Sequence, residues 1–177
     1  MKRGIAPVTT LLAWTGLAAA AQPNAPVHRA PFVELVRYGG TWGEAASIPT
    51  FVEYLCAGDS TAQSPPVAER SRDVTNRCRT DSGVENTLCR AMVVAGTGAV
   101  RLQGSFVWPI RADYWVIGLD RNFQWAVVGN PNQKYVWIMS RTSQLTPGLI
   151  EAARWSVQAN DFEVARLRDT PHGESGD

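Results

Sequence analysis

The sequence has only two histidines, His28 and His172, and both stand outside the patterned middle of the chain. A Ser/His/Asp or Cys/His nucleophilic site needs an imidazole in the folded body, and so does a histidine-ligated zinc site. Neither chemistry is expected, no cofactor or metal is called for, and the chain reads as a non-enzyme. An excess of one charge is lacking too. The 17 Lys and Arg against 16 Asp and Glu leave +1, so nothing in the charge points to nucleic acid. Long hydrophobic runs are missing. The run Ile5 to Leu17 is interrupted by Pro7, Thr9 and Thr10 and falls short of the ~20 residues a spanning helix needs. With Lys2 and Arg3 before it and Ala19-x-Ala21 after it, residues 1–21 have the pattern of a secretory signal. No cysteine follows that run, so a lipid-modified N-terminus is not indicated. The product is expected to be exported, to the periplasm or beyond the cell. Removing Lys2 and Arg3 leaves 15 basic (17 − 2) against 16 acidic residues, about −1. Cysteine is scarce: Cys56, Cys78 and Cys89. Export favours a disulfide. Three single pairings are open at this point, and each leaves one thiol over.

What the chain does carry is short runs of β-branched and aromatic residues separated by turn chemistry. Tyr114 to Leu119, Phe123 to Val128 and Tyr135 to Ser140 are three such runs. They are joined by Asp120-Arg121-Asn122 and Gly129-Asn130-Pro131-Asn132, so they read as an antiparallel meander. Upstream, Trp42 to Ser47 reads as a strand with Trp42, Glu44 and Ala46 on one face. Further strands are expected near Asp59 to Gln63, Arg72 to Cys78, Val84 to Val94 and Ala99 to Val107, the last two joined by a Gly96-Thr97-Gly98 hairpin turn. The stretch Ala57 to Arg72 carries Pro65-Pro66 and alternates poorly. Phe32 to Val36 is a short apolar turn that would close over one end. Thr146-Pro147 starts a helix that runs to about Asn160 and carries Leu149, Ile150, Ala153, Trp155 and Val157. Phe162 to Leu167 reads as one more strand.

One domain is the default for 177 residues. Residues 22–31 form a flexible lead-in, 32–168 the folded domain and 169–177 a disordered tail. The expected fold is all-β, an eight-stranded antiparallel up-and-down barrel with a C-terminal α-helix packed outside. Closure removes the sheet edges and leaves an interior wide enough for one small ligand.

Several blocks then carry a resemblance. Gly40-Thr41-Trp42 is followed by Glu44, Pro49 and Phe51. Next come Asn76-Arg77-Cys78-Arg79, Tyr114-Trp115-Val116-Ile117-Gly118-Leu119-Asp120, Trp125-Ala126-Val127-Val128-Gly129 and Tyr135-Val136-Trp137-Ile138-Met139-Ser140-Arg141-Thr142. In this order, and followed by a helix, they resemble the lipocalins, in particular the bacterial branch that includes plant temperature-induced lipocalins and apolipoprotein D. The resemblance spans roughly Tyr38 to Leu167. Two departures stand out: Gly43 where the branch usually has tyrosine, and the weak alternation of Ala57 to Arg72.

The resemblance implies binding and carriage of small hydrophobic ligands in the cell envelope, with fatty acids and lysophospholipids as the class. Peripheral membrane contact and a monomer or dimer are compatible with it. It implies a barrel base closed by Trp42 with Arg141 over its ring, and a Cys56–Cys78 disulfide. Counting alternation upward from Arg141 turns Tyr135, Trp137 and Met139 inward as ligand contacts. Tyr114 and Val116, with Leu102 and Phe106, are candidates of the same kind, and Glu44 is an inward carboxylate near the base. Trp125 is open to either face, and Arg111 and Asp113 bracket the way into the meander. Two other classes stay open: an envelope interaction protein with a reduced cavity, and a lipocalin-type enzyme built on Cys89.

Overall fold

The computed structural model describes residues 30–50, 55–105 and 111–173. The signal segment, Phe51 and the candidate Phe106 lie outside the described residues. Eight antiparallel strands follow one another: β1 Gly40–Ile48, β2 Gly58–Ser64, β3 Ser71–Thr80, β4 Gly83–Val93, β5 Arg101–Ser105, β6 Ala112–Leu119, β7 Trp125–Gly129 and β8 Val136–Ser140. Each pairs with its neighbour in sequence, and β1 pairs with both β2 and β8, which closes the barrel. The strands expected within Ala57 to Arg72 do form. Their interior side chains are small or polar, which is why alternation of hydrophobicity hides them.

The turns follow their side chains. Asp120 accepts hydrogen bonds from the backbone N–H groups of Asn122 and Gln124. This Asx arrangement holds Phe123 at a positive φ of 59°, so Phe123 belongs to the turn and β7 begins only at Trp125. Asn130 does the same for Lys134 and Tyr135.

Helix α2, Pro147–Gln158, starts where expected, with Thr146 in extended backbone and proline in the first turn. Its Ala153 and Val157 are fully buried against Ile117, Trp125, Val127, Val136 and Ile138 on the outside of the meander. Trp155 points the other way and is 69% exposed, because it lies two residues from both core positions. A Cβ on Gly118 would come within 2.7 Å of Ser156, so glycine there lets the helix sit close. Trp125 is settled by this packing: it faces outward, under the helix. Ala46 also differs from expectation. A bulge between Glu44 and Ala46 shifts the register against β8 and turns Ala46 out into the helix-covered cluster. The strand expected over Phe162 to Leu167 is absent. Phe162 is buried beside Ile117 and Gly129 as part of the helix packing, and Val164–Arg166 forms a 3₁₀ turn.

At one end, α1 (Leu35–Tyr38) and Val33 close the barrel, with Ala30, Val33, Val100 and Val116 packed together. Ala30 falls in the segment expected as a flexible lead-in, yet its N–H donates to the Val116 carbonyl.

The tail is ordered further than the sequence indicates. Strands β1 and β2 pair only over Gly40 to Gly43 and then diverge. Residues 168–173 fill the gap. β9, Arg168–Asp169, pairs with Ser47 and Ala46, and the Thr170 N–H donates to Ala45. On the other side Asp59 N–H donates to the Pro171 carbonyl, and the Asp59 carboxylate accepts from Gly173 N–H and lies 3.9 Å from His172 Nδ1. Asp169 pairs with Arg154 of α2. Gly58 fits only without a side chain, since a Cβ would stand 2.2 Å from the Pro171 oxygen. These bonds run largely through the backbone, so the polar composition of the tail does not signal them.

This arrangement is acid-sensitive. The Arg79 side-chain hydrogen bond, then that from Gly173 N–H, hold the Asp59 carboxyl below its ordinary value of 3.8. A depressed folded value means the contribution is present above 3.8 and is lost as pH falls through the folded value. Amide chemical shifts of Thr170 and Gly173, followed from about pH 6 to about pH 2, will move together with a midpoint under 3.8. A midpoint at or above that value would refute the account.

Candidate functional site

Directly paired residues of an antiparallel sheet share a face, so the register assigns the interior. Ser47, Trp137, Val128 and Val116 form one connected row. Glu44, Met139 and Ala126 form a second, and Trp42, Ala62, Asn76 and Thr87 a third. Leu102 pairs with Val93 and Tyr114, and Cys89 with Val74. The Tyr114 and Trp137 rings stand 5.4 Å apart across this interior. The register therefore brings together Trp137, Met139, Tyr114, Val116, Leu102 and Glu44 of the anticipated set. Tyr135 precedes β8 at the rim and is half-buried.

The floor is built from charge and aromatic faces. Trp42 is 4% exposed and donates its indole N–H to the Tyr38 carbonyl at 2.7 Å. The Arg141 guanidinium carbon lies 3.7 Å from the Trp42 ring centroid, a cation–π contact worth about 0.5–2 kcal/mol. The same guanidinium donates to the carbonyls of Arg37, Tyr38, Gly39 and Thr41. It thereby satisfies carbonyls at the C-terminal end of α1 that have no partner inside the helix. Arg72 works alongside it, donating to Leu35, Val67 and Glu69. Burial lowers both arginines' affinity for their protons and pushes the Tyr38 phenol up to about 12, against the opposing pull of Arg141 and Arg72. Val116 reaches this floor cluster and lines its upper side.

Above the floor the interior has two unlike walls. The arc from β5 to β8 presents Leu102, Tyr114, Val116, Ala126, Val128, Trp137 and Met139. The arc from β1 to β4 presents Glu44, Ser47, Ala62, Val74, Asn76 and Cys89. Tyr114, Met139, Ala62, Val74, Asn76 and Glu44 are only half-buried. By contrast Val127, Val136 and Ile138, on the outer face under α2, are completely buried. On the inner face Val116 and Ala126 are just as completely buried, and exposure rises only at Tyr114, Met139 and along the β1–β4 arc.

Glu44 accepts hydrogen bonds through one oxygen from both Ser47 Oγ (2.7 Å) and Thr170 Oγ1 (2.6 Å). An inward carboxylate in an apolar chamber needs such partners. Thr170 is a lining residue that sequence reading misses, because it comes from the presumed tail. Val74, Asn76 and Cys89 were legible by counting in twos from Cys78 and across the β3–β4 pair. Cys89 is buried, and burial pushes its thiol up, opposed by a backbone hydrogen bond from Ser105. Cys56 and Cys78 are disulfide-bonded near the open end. Asp113 accepts from Gln103 Nε2 rather than pairing with Arg111, and Arg111 lies on an outer groove with Leu88 and Met92. No group of metal ligands occurs among the described residues.

Comparison with known proteins adds the following. A lipocalin-like domain model matches residues 33–172. Temperature-induced lipocalin-1 of Arabidopsis thaliana is 23% identical over 78% of this chain and 79% of its own length. The outer membrane lipoprotein Blc of Vibrio cholerae is 29% identical, over 76% of this chain and 80% of its own. Among solved structures, insecticyanin of the tobacco hornworm Manduca sexta superposes with a TM-score of 0.69 at 15% identity, covering 87% of this chain and 89% of that one.

Proposed function

This chain belongs to the lipocalin-like family, whose members bind small hydrophobic ligands, and from that premise we propose that it binds and carries fatty acids or lysophospholipids in the cell envelope. The observation that carries this reading is the inward apolar arc of buried Trp137 with half-buried Tyr114 and Met139, above a floor held by Trp42 and Arg141. An acyl chain moving from water onto that arc gains about 0.8 kcal/mol per CH₂. Association and ordering take back part of this gain, which leaves a long chain at about micromolar affinity. Binding needs no reacting group. The similarity to an outer membrane lipoprotein and the signal pattern of residues 1–21 support an exported location, periplasmic or secreted. Phe106 and Tyr135 belong to the ligand wall in this reading, Tyr135 at its rim.

Native mass spectrometry of the protein purified from its own envelope will show a retained species with the mass of a fatty acid or lysophospholipid. Titration with a fluorescent acyl probe will quench tryptophan emission, and Trp137→Ala will weaken that binding about tenfold. A wild-type protein that neither retains lipid nor binds the probe sinks the carrier assignment.

A further inference from the structure

Helix α2 covers the outside of β6, β7 and β8. The outside of β3 to β5 is different. Register sets which side chains share it. Thr75 is paired with Leu88, Arg77 with Asn86 and Arg79 with Val84. Asp73, Arg90 and Ser105 form one row, and Ser71, Met92, Gln103 and Asp113 another. Buried Cys89 and its half-buried partner Val74 mark the opposite, inner face. On the outer face Val84, Leu88 and Met92 recur every fourth residue along β4, and they are 49%, 61% and 39% exposed. Their line runs about 26 Å, at about 3.3 Å per residue, from the β3–β4 turn down the barrel wall. Three large apolar side chains aligned in water on one strand mark a surface that is covered in use.

The same face is basic. It carries Arg77, Arg79, Arg90, Arg101 and, on the groove beside Leu88 and Met92, Arg111. Three aspartates stand against these five arginines. Asp59 pairs with Arg79, Asp73 takes a two-pronged bond from Arg90, and Asp113 accepts from Gln103. Arg101 lies over the Trp115 ring. Arg77 and Arg111 are exposed and make no ion pair among the described residues. Glu85 shares the inner face with Cys78, and Asp81 stands in the turn. A surplus of two positive charges is thus gathered on one wall of a chain that is nearly neutral overall.

The spacing selects the partner. A protein interface gathers its apolar side chains into a core depleted of charge. Here Arg90 stands between Leu88 and Met92, and Asn86 between Val84 and Leu88. A fluid bilayer surface can take each apolar tip separately, while arginine stems lie along it and their heads meet phosphate.

We propose that the outer face of β3 to β5 docks the barrel side-on to an anionic phospholipid surface. Val84, Leu88 and Met92 enter the interfacial layer, and Arg77 and Arg111 meet lipid phosphates. The proposal stands apart from the carrier reading, since a ligand inside the barrel touches none of these outward side chains.

The test is co-sedimentation of the exported protein with vesicles. Vesicles of equal parts phosphatidylglycerol and phosphatidylcholine will bind it at least about tenfold tighter than phosphatidylcholine alone, and added salt will weaken that binding. Leu88→Ser with Met92→Ser will weaken it about tenfold, and Arg77→Gln with Arg111→Gln about thirtyfold. Trp155→Ser, at an exposed position on α2, will leave it unchanged. Both double variants alter exposed positions and will quench with the fluorescent acyl probe as wild type does. Equal binding to both kinds of vesicle, binding to neither, or an equal loss in the Trp155 variant overturns the docking face. A dimer in sedimentation velocity that Leu88→Ser with Met92→Ser dissociates would assign the face to a second copy instead and also overturn it. Vesicle binding that fails while the acyl probe still binds leaves the carrier reading intact.

Discussion

Trp42→Ala will lower the unfolding free energy by about 3–5 kcal/mol, the range for removing a buried large aromatic side chain. The indole is 4% exposed and in contact on several sides. Tyr38 lies 5.4 Å away, Arg141 covers one face, and the indole N–H holds the Tyr38 carbonyl. Alanine opens a void under a guanidinium that is itself pinned to four carbonyls. The floor therefore has little freedom to collapse into the space, which places the loss toward the upper part of the range. Trp42→Phe keeps most of the volume and loses the donor, so it will cost markedly less. Urea unfolding of the three proteins checks the order. A loss under about 1 kcal/mol for the alanine variant would mean that the floor is not built as described.

Replacing Cys56 and Cys78 together by serine will cost about 2–4 kcal/mol. The bridge spans 22 residues and encloses all of β2. That strand has the sequence Gly-Asp-Ser-Thr-Ala-Gln-Ser and buries no large apolar side chain. It pairs with β1 over only four residues, and the ordered tail holds its other half. With so little side-chain burial, the loop-closing bridge supplies much of what keeps this wall in place. Hydrogen exchange will accordingly rise most in β2 and in residues 168–173, and least in β7 and β8 under the helix. Uniform loss of protection across the barrel would contradict this account.

Much of the architecture was legible because its signals are local. Turn chemistry separates the strands, Thr146-Pro147 opens the helix, and the order of blocks around Trp42, Trp115, Trp125 and Trp137 carries the family likeness. The period of two also put Trp137 and Met139 on the same side as Glu44. It was silent for Trp125, because β7 is buried on both faces, by the interior and by α2. A strand covered on both sides shows no polar alternation to read.

By itself, then, the sequence determined the eight strands of the barrel, the inward phase of β8 and the late helix, since each depends on neighbours along the chain, while the indole–guanidinium pair at the base followed from the family resemblance. Only the tertiary structure decided which face of β7 is the inside, where a bulge turns Ala46 outward, that Phe162 serves the helix rather than a strand, and that residues 168–173 complete the wall beside Glu44 and Asp59. Those outcomes depend on backbone hydrogen bonds and on what covers a surface from a distant part of the chain, and neither leaves a mark in local composition.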